Sequence, residues 1–236
     1  MRQKLINLEA KFWEGRRSNT NPSIFQHDYL MHLTLYQDLK HGFSEVREKS
    51  KRDKLKIVDI GCGDRPYLKL AQNWAKVYIG VDLNQEADVV ALAENLPFPD
   101  ASFDLALCFQ VLEHTDNPQK AVQEMKRIVK KGGFVLASTH GVWNHHPFPH
   151  DYHRWTHEGL EKLFEAFSEV KVKPNLNSYS SVIQIINIEL YILACSNILI
   201  KLPLYGLITL LNLIGRAATP NGQKHLSVNY LVLARV

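Results

Sequence analysis

The 236-residue sequence predicts an α/β fold in which a mostly parallel sheet carries helices on its faces. Three observations lead there. Leu55, Ile57, Val58 and Ile60 form a short run rich in β-branched residues, the profile of a strand buried on both sides. The run breaks at Gly61-Cys62-Gly63, and Pro66 suits the first turn of a following helix, where a missing N–H costs nothing. About twenty residues beyond the glycines, Tyr78 to Asp82 reads as a second strand ending in a carboxylate.

This strand–loop–helix unit is a nucleotide site. Its glycines let the backbone turn tightly and approach a ligand, and the helix start presents unpaired N–H groups. A dinucleotide would call for a third glycine and a loop hospitable to phosphate. Here Pro66 stands in that place, and Asp59 and Asp64 put negative charge where a pyrophosphate would lie, only partly offset by Arg65. An acidic loop suits a cation. Asp82, at the tip of the neighbouring strand, is placed to accept hydrogen bonds from ribose hydroxyls. An adenosyl group without phosphate and with a positive sulfonium fits these charges, which points to S-adenosylmethionine.

Five blocks then recur in a familiar order: Asp59 to Gly63, Gly80 to Asp82, Leu96 to Asp104, Leu112 to His114, and Lys130 to Phe134. Together they resemble the class I S-adenosylmethionine-dependent methyltransferases, in particular the type-11 methyltransferase domain group, over roughly residues 55 to 172. The resemblance implies a Rossmann-like, seven-stranded, mostly parallel sheet whose last strand runs antiparallel. It implies a cofactor site of Asp59, Gly61, Cys62, Gly63, Asp82, Leu83, Ala93, Glu94, Phe109 and Gln110. Leu92 departs from the pattern, because an aspartate commonly stands there. The adenine contact is therefore expected from main chain around Ala93 or from the Glu94 side chain.

Taken in order, residues 1–53 are expected to form a helical cap, with Asn21-Pro22-Ser23 as a break and one or two helices between Ile24 and Val46. Tyr29, His32 and Tyr36 are candidate pocket residues there. Residues 54–173 are the expected cofactor-binding core. Pro66 to Trp74 reads as its first helix, Ala87 to Ala91 as a weak third strand, and Phe103 to Phe109 as the fourth. Asn117-Pro118 supplies a helix cap, Gly132-Gly133 a stop, and Phe134 to Ser138 a fifth strand. Thr156 starts a helix running to Phe167, Glu169 to Lys173 is the sixth strand, and residues 226–236 are the seventh. One methyltransferase domain of 1–236 is the simplest division.

Two segments carry the rest of the functional reading. Thr139 to Thr156 leaves the fifth strand over the crevice and concentrates five histidines among prolines and aromatics. His140, His114 and His150 are the candidate proton acceptors, since a histidine titrating near neutrality suits a hydroxyl acceptor. The histidines lack a regular ligand spacing, so no metal is expected. Asp151, Tyr152 and Arg154 are read either as pocket closure or as a lock on the loop. Residues 174–225 form an apolar helical insert, with Val182 to Ile214 its apolar core. A lid, a buried layer, a homodimer surface and peripheral membrane contact through 182–214 are all open for it.

Net charge is +4, too small to argue for nucleic acid, and the basic clusters at Lys49 to Lys56 and Lys126 to Lys131 read as solvated. Three scattered cysteines predict no disulfide framework, and Met1 to Arg17 has no apolar run for a signal peptide. The expected location is cytoplasmic, with membrane association through the insert as the variant. The expected activity is methyl transfer from S-adenosylmethionine to a small molecule, lipid-linked or glycan-type acceptors included. The alternatives are a non-catalytic S-adenosylmethionine-binding protein and a nicotinamide-dependent oxidoreductase.

Overall fold

The computed structural model describes residues 21–147, 150–196, 198–218 and 225–236. Met1 to Arg17 and Phe148-Pro149 of the histidine-rich loop lie outside the described residues. The sheet has seven strands: β1 (Leu55–Ile60), β2 (Ala75–Asp82), β3 (Val89–Val90), β4 (Phe103–Phe109), β5 (Val129–His140), β6 (Glu169–Pro174) and β7 (Asn229–Arg235). Their order is β3-β2-β1-β4-β5-β7-β6. β7 pairs antiparallel with both β5 and β6, and the remaining pairs are parallel. The helices are α1 (Tyr29–Ser50), α2 (Leu68–Gln72), α3 (Pro118–Ile128), α4 (His157–Leu163), α5 (Ser178–Ser196) and α6 (Ile198–Ala218). This is the Rossmann-like arrangement expected from the sequence.

Strand alternation splits the apolar residues between two cores. Ile57, Leu105, Leu107, Phe134, Leu136, Leu231 and Leu233 face α1, while Val58, Ile60, Ala106, Cys108, Val135, Ala137 and Val232 face α3 and α4. A Cβ on Gly42 would come within 2.9 Å of Leu136 Cδ1, so the missing side chain lets α1 lie close on β5. Asn117 caps α3 by accepting Lys120 N–H at 3.0 Å, and Thr156 caps α4 by accepting Gly159 N–H at 3.0 Å. Gly132-Gly133 does not stop a helix. α3 ends at Ile128, and β5 starts at once with an irregular pairing to Phe103 that Gly132, at φ +76°, accommodates.

The insert is a helical pair, and its polarity is inverted. Ser180, Ser181, Gln184 and Asn187 are buried on α5 and Asn212 on α6, whereas Val182, Ile186, Leu193, Leu202, Leu210 and Leu213 are exposed. Glu189 is exposed and Asn197 lies outside the described residues. The polar side chains of α5 thus sort by face once the helix docks. Gln184 accepts Met31 N–H at 3.1 Å and donates to the His27 carbonyl at 2.7 Å. Asn187 donates to Asn212 at 2.9 Å, and Asn212 donates to the carbonyls of Ile24 and Gln26 at 2.8 and 2.7 Å. These amides fasten the pair to the segment leading into α1. Replacing Asn212 with Ala removes both donations at once, and a loss of about 2–4 kcal/mol in urea unfolding is expected. A change below about 0.5 kcal/mol would mean that the amides do not hold the hairpin.

Candidate active site

The parallel strands all end on one side, and strand order reverses between β1 and β4, which opens a crevice beyond their tips. The loop after β1 crosses it first. Gly61 and Cys62 donate to the Val81 carbonyl at 2.7 and 3.1 Å. Gly61 sits at φ +70°, and a Cβ there would run into Val111 at 2.2 Å. Gly63, at φ +48°, faces open space in which a Cβ would touch nothing. One glycine is required by the protein, and the other leaves room for a ligand.

Asp82 stands at the rim. It accepts Gly63 N–H at 2.8 Å through Oδ2 and Asn84 N–H at 3.0 Å through Oδ1, so each oxygen keeps a lone pair for ribose hydroxyls. Asp59 lies deeper, accepts the Tyr78 hydroxyl, and is nearly inaccessible. Burial pushes its carboxyl up to about 6, against the Tyr78 hydrogen bond and the Arg65 charge. Burial, with Asp59 and Asp82 nearby, also pushes the Cys62 thiol up to about 11, which leaves it an uncharged packing group. Leu83 is 55% exposed and Ala93 is buried; Glu94 sits near Asn117, whose N–H is 3.5 Å from Oε1.

Gln110, at the end of β4, is held at φ +57° although it is not glycine. Its amide donates to Ser138 at 2.8 Å and to Asn229 of β7 at 2.9 Å, while its Oε1 is buried without a partner. Phe109 is buried edge-on against Tyr67, ring centres 5.3 Å apart. A donor presented in the crevice, such as a ligand amino group, would satisfy the orphaned amide oxygen. Open space at Gly63, a rim carboxylate, a buried acid and this oxygen together fit an adenosyl cation.

The loop after β5 folds back onto the tip of β4. Tyr152 and His153 donate their N–H groups to the Glu113 carbonyl at 2.9 and 3.3 Å, and Trp155 donates to the His140 carbonyl at 3.1 Å. Arg154 grips Asp151 with both terminal nitrogens and reaches the Asn144 carbonyl at 3.0 Å. That grip holds the Asp151 carboxyl well below the usual range against its burial. Asp151 and Arg154 therefore form a lock, and Tyr152 lies exposed beside it.

The candidate bases separate. His140 is buried, stacked on Trp143 at 4.6 Å, with Nε2 3.6 Å from the fully buried Glu113. Burial drives Glu113 up, against the His114 charge and the Thr139 hydrogen bond, and drives His140 well down. His114 is half-buried and its Nδ1 meets the His150 carbonyl, which leaves Nε2 as the lone-pair nitrogen. His150 contributes that carbonyl, while its own ring is exposed and stacked on Tyr152. Tyr29, His32 and Tyr36 lie on α1 away from this cluster: Tyr29 bonds Arg216 at 3.2 Å, His32 faces Asp28 at 3.3 Å, and Tyr36 lies under Lys40. Tyr78, Tyr67 and Asn229 were not legible as site residues. Strand pairing brings Tyr78 and Asn229 to the crevice, and Tyr67 reaches it from the turn that leads into α2.

The fold and crevice define the class, that of S-adenosylmethionine-dependent methyltransferase domains of class I. Residues 58–137 match the family described as Methyltransferase domain. A ubiquinone biosynthesis O-methyltransferase of Paraburkholderia phymatum is 35% identical over 101 residues, 36% of this chain and 44% of the relative. A methyltransferase structure from Archaeoglobus fulgidus aligns with a TM-score of 0.51 at 15% identity, over 85% of this chain and 94% of that one. The cyclase SpnF aligns at 0.54 and 20% identity, over 85% and 82%. These structural likenesses are of fold alone. The chain spans less than half the length of the curated relatives it matches.

Proposed function

We propose that the chain is one methyltransferase unit that binds S-adenosylmethionine and methylates a hydroxyl of a small, lipid-linked acceptor at a membrane surface. The observation that carries the cofactor reading is the acidic cradle: Gly63 open to the crevice, Asp82 at its rim and Asp59 buried behind. The bound cofactor supplies a methyl group on a positively charged sulfur. Asp82 receives the ribose hydroxyls, the loop from Gly61 to Gly63 lies beneath, and Leu83, Ala93 and Glu94 border the base. Asp59, Phe109 and Gln110 line the end that carries the amino group. The locked β5–α4 loop excludes water and limits where the acceptor enters. His114, backed by Glu113 and His140, draws off the acceptor proton, and His150 stands aside.

Membrane contact rests on the inverted hairpin. Both helices are long and apolar enough to cross a membrane by length and composition. Leu199 and Leu202, near the turn between them, are 85% and 84% exposed. Between residues 178 and 218 the only acid is Glu189, which Asn144 binds, and Lys201 adds positive charge near the turn. An apolar outside over a polar inside suits lipid, and the antiparallel pair returns β7 to its own sheet. The Asn144–Glu189 bond joins the hairpin to the loop over the crevice.

Calorimetry should detect S-adenosylmethionine binding to the folded chain, weakened by more than about 10-fold in Asp82→Ala, which removes hydrogen bonds to a charged acceptor. Absence of heat from well-folded protein would sink the cofactor reading. The ionised form of Asp59 favours the cation, so affinity should rise about 10-fold between pH 5 and 7 and then level off. Without ligand the sign is opposite. The folded value, about 6, exceeds the unfolded 3.8, so the contribution of Asp59 to stability is full below 3.8 and is lost as pH rises through 6.

His114→Ala and His140→Ala should each cut turnover by about 100-fold or more with cofactor affinity kept, the usual range for lost proton transfer. His150→Ala should stay within about threefold. Equal turnover in all three variants would remove the cluster from the mechanism. Finally, the chain should co-sediment with phosphatidylglycerol–phosphatidylcholine vesicles. Leu199→Glu with Leu202→Glu should weaken this by more than about 10-fold, given about 1.5–3 kcal/mol per buried leucine. Vesicle binding unchanged by that pair would rule out the hairpin as the contact.

A further inference from the structure

The loop lock brings together three side chains from two places in the sequence. Glu113 and His114 end the 3-10 turn after β4, and His146 comes from the loop after β5; their ligand atoms all lie within 4.8 Å of one another. We propose that Glu113, His114 and His146 form a site for a single divalent transition-metal ion of the zinc type. The proposal revises the proton step of the reading above, because an ion on the His114 Nε2 lone pair would take over from that imidazole by acidifying the acceptor hydroxyl itself, but the site's existence does not depend on that reading.

Ligand chemistry supports it. Two imidazoles and a carboxylate are a recurrent zinc set, with further positions left for water or an acceptor oxygen. Each group is also held from behind, as metal ligands usually are. The His114 ring is fixed through Nδ1 to the His150 carbonyl, and the His146 ring through Nδ1 to the Asn144 carbonyl at 3.2 Å. With Nδ1–H donated to these carbonyls each ring would keep its lone pair on Nε2; His146 Nδ1 also lies 3.5 Å from Arg154 Nη2. Glu113 is fixed through Oε2, which accepts the Thr139 hydroxyl at 2.8 Å.

The independent sign of a ligand is the other oxygen. Glu113 is fully buried, and its Oε1 has no hydrogen-bond partner. His140 Nε2 stands 3.6 Å from that oxygen, beyond hydrogen-bond reach, and a cation would supply the partner it lacks. His114 and His146 meet edge to face with ring centres 5.0 Å apart, which brings both imidazoles to one place beside Glu113. A cation there would acidify a coordinated hydroxyl or water. It would also tie the β5–α4 loop to the tip of β4.

The test uses tag-free, chelator-treated full-length chain titrated with cobalt(II) and with zinc(II), followed by calorimetry and visible absorption. One equivalent should bind, and cobalt should show the intense visible bands of a low-coordinate nitrogen–oxygen site. Glu113→Gln and His146→Ala should each weaken binding by more than about 100-fold, since even outer-shell changes cost about 10- to 100-fold. His150→Ala, which keeps its carbonyl, should bind as wild type. Circular dichroism identifies a misfolded variant, and His146→Ala, at a loop position, carries the test if Glu113→Gln fails to fold. No binding to folded wild type, or equal binding by a folded His146→Ala variant, overturns the site. Metal binding without S-adenosylmethionine binding would keep this site while refuting the reaction, and the reverse would keep the reaction without the metal.

Discussion

Winding away from β1 in both directions forces the chain to leave a gap at the strand tips, and every functional group described above borders that gap. β1 and β4 are adjacent and parallel, but the segments that follow them depart toward opposite faces of the sheet. The space between the departing chains cannot be filled by either one. Gly61 makes the geometry feasible, because the loop passes Val111 too closely for any side chain. A crevice of this kind is thus a consequence of topology, and its chemistry is decided by which residues happen to stand at the tips.

Here those residues are acidic on one side and imidazole-rich on the other. Asp59 and Asp82 lie on the β1–β2 side, where burial of one and exposure of the other give them different tasks. A rim carboxylate with spare lone pairs can bind neutral hydroxyls. A buried one is sensitive to the charge of what arrives. On the β4–β5 side Glu113 and His140 are buried together beside His114, and burial disfavours charge on both the acid and the buried imidazole. Gln110 lies between the two sides, tethered by Ser138 and Asn229, so strand β7 also shapes the floor of the crevice.

The coverings of the crevice are coupled. Arg154 and Asp151 hold the loop after β5 against the Glu113 backbone, and Asn144 from the same loop reaches Glu189 on α5. The helical insert is anchored in turn to the start of α1 through Gln184 and Asn212. The hairpin and the loop are therefore joined by direct hydrogen bonds. The insert is polar where it meets the rest of the protein and apolar on its exposed face.

The strands were legible in the sequence because each is a short apolar run bounded by glycine, proline or a carboxylate, and short-range pattern suffices for that. The cradle was legible for a similar reason: Asp59, Gly61, Gly63 and Asp82 sit at strand ends, and backbone conformation alone makes glycine necessary. Glycines at 132 and 133 misled, since an irregular strand start tolerates the same residues as a helix end. The faces of α5 could not be assigned from spacing, because the side it buries was decided by backbone groups near α1, more than a hundred residues earlier. The same holds for Glu113, His114 and His146. Their spacing in the chain carries no ligand pattern, and only the Asp151–Arg154 lock folds the loop so that they meet. Local sequence determined the elements and the acids at their tips, whereas tertiary structure decided which side chains lost their water and which partners they found in its place.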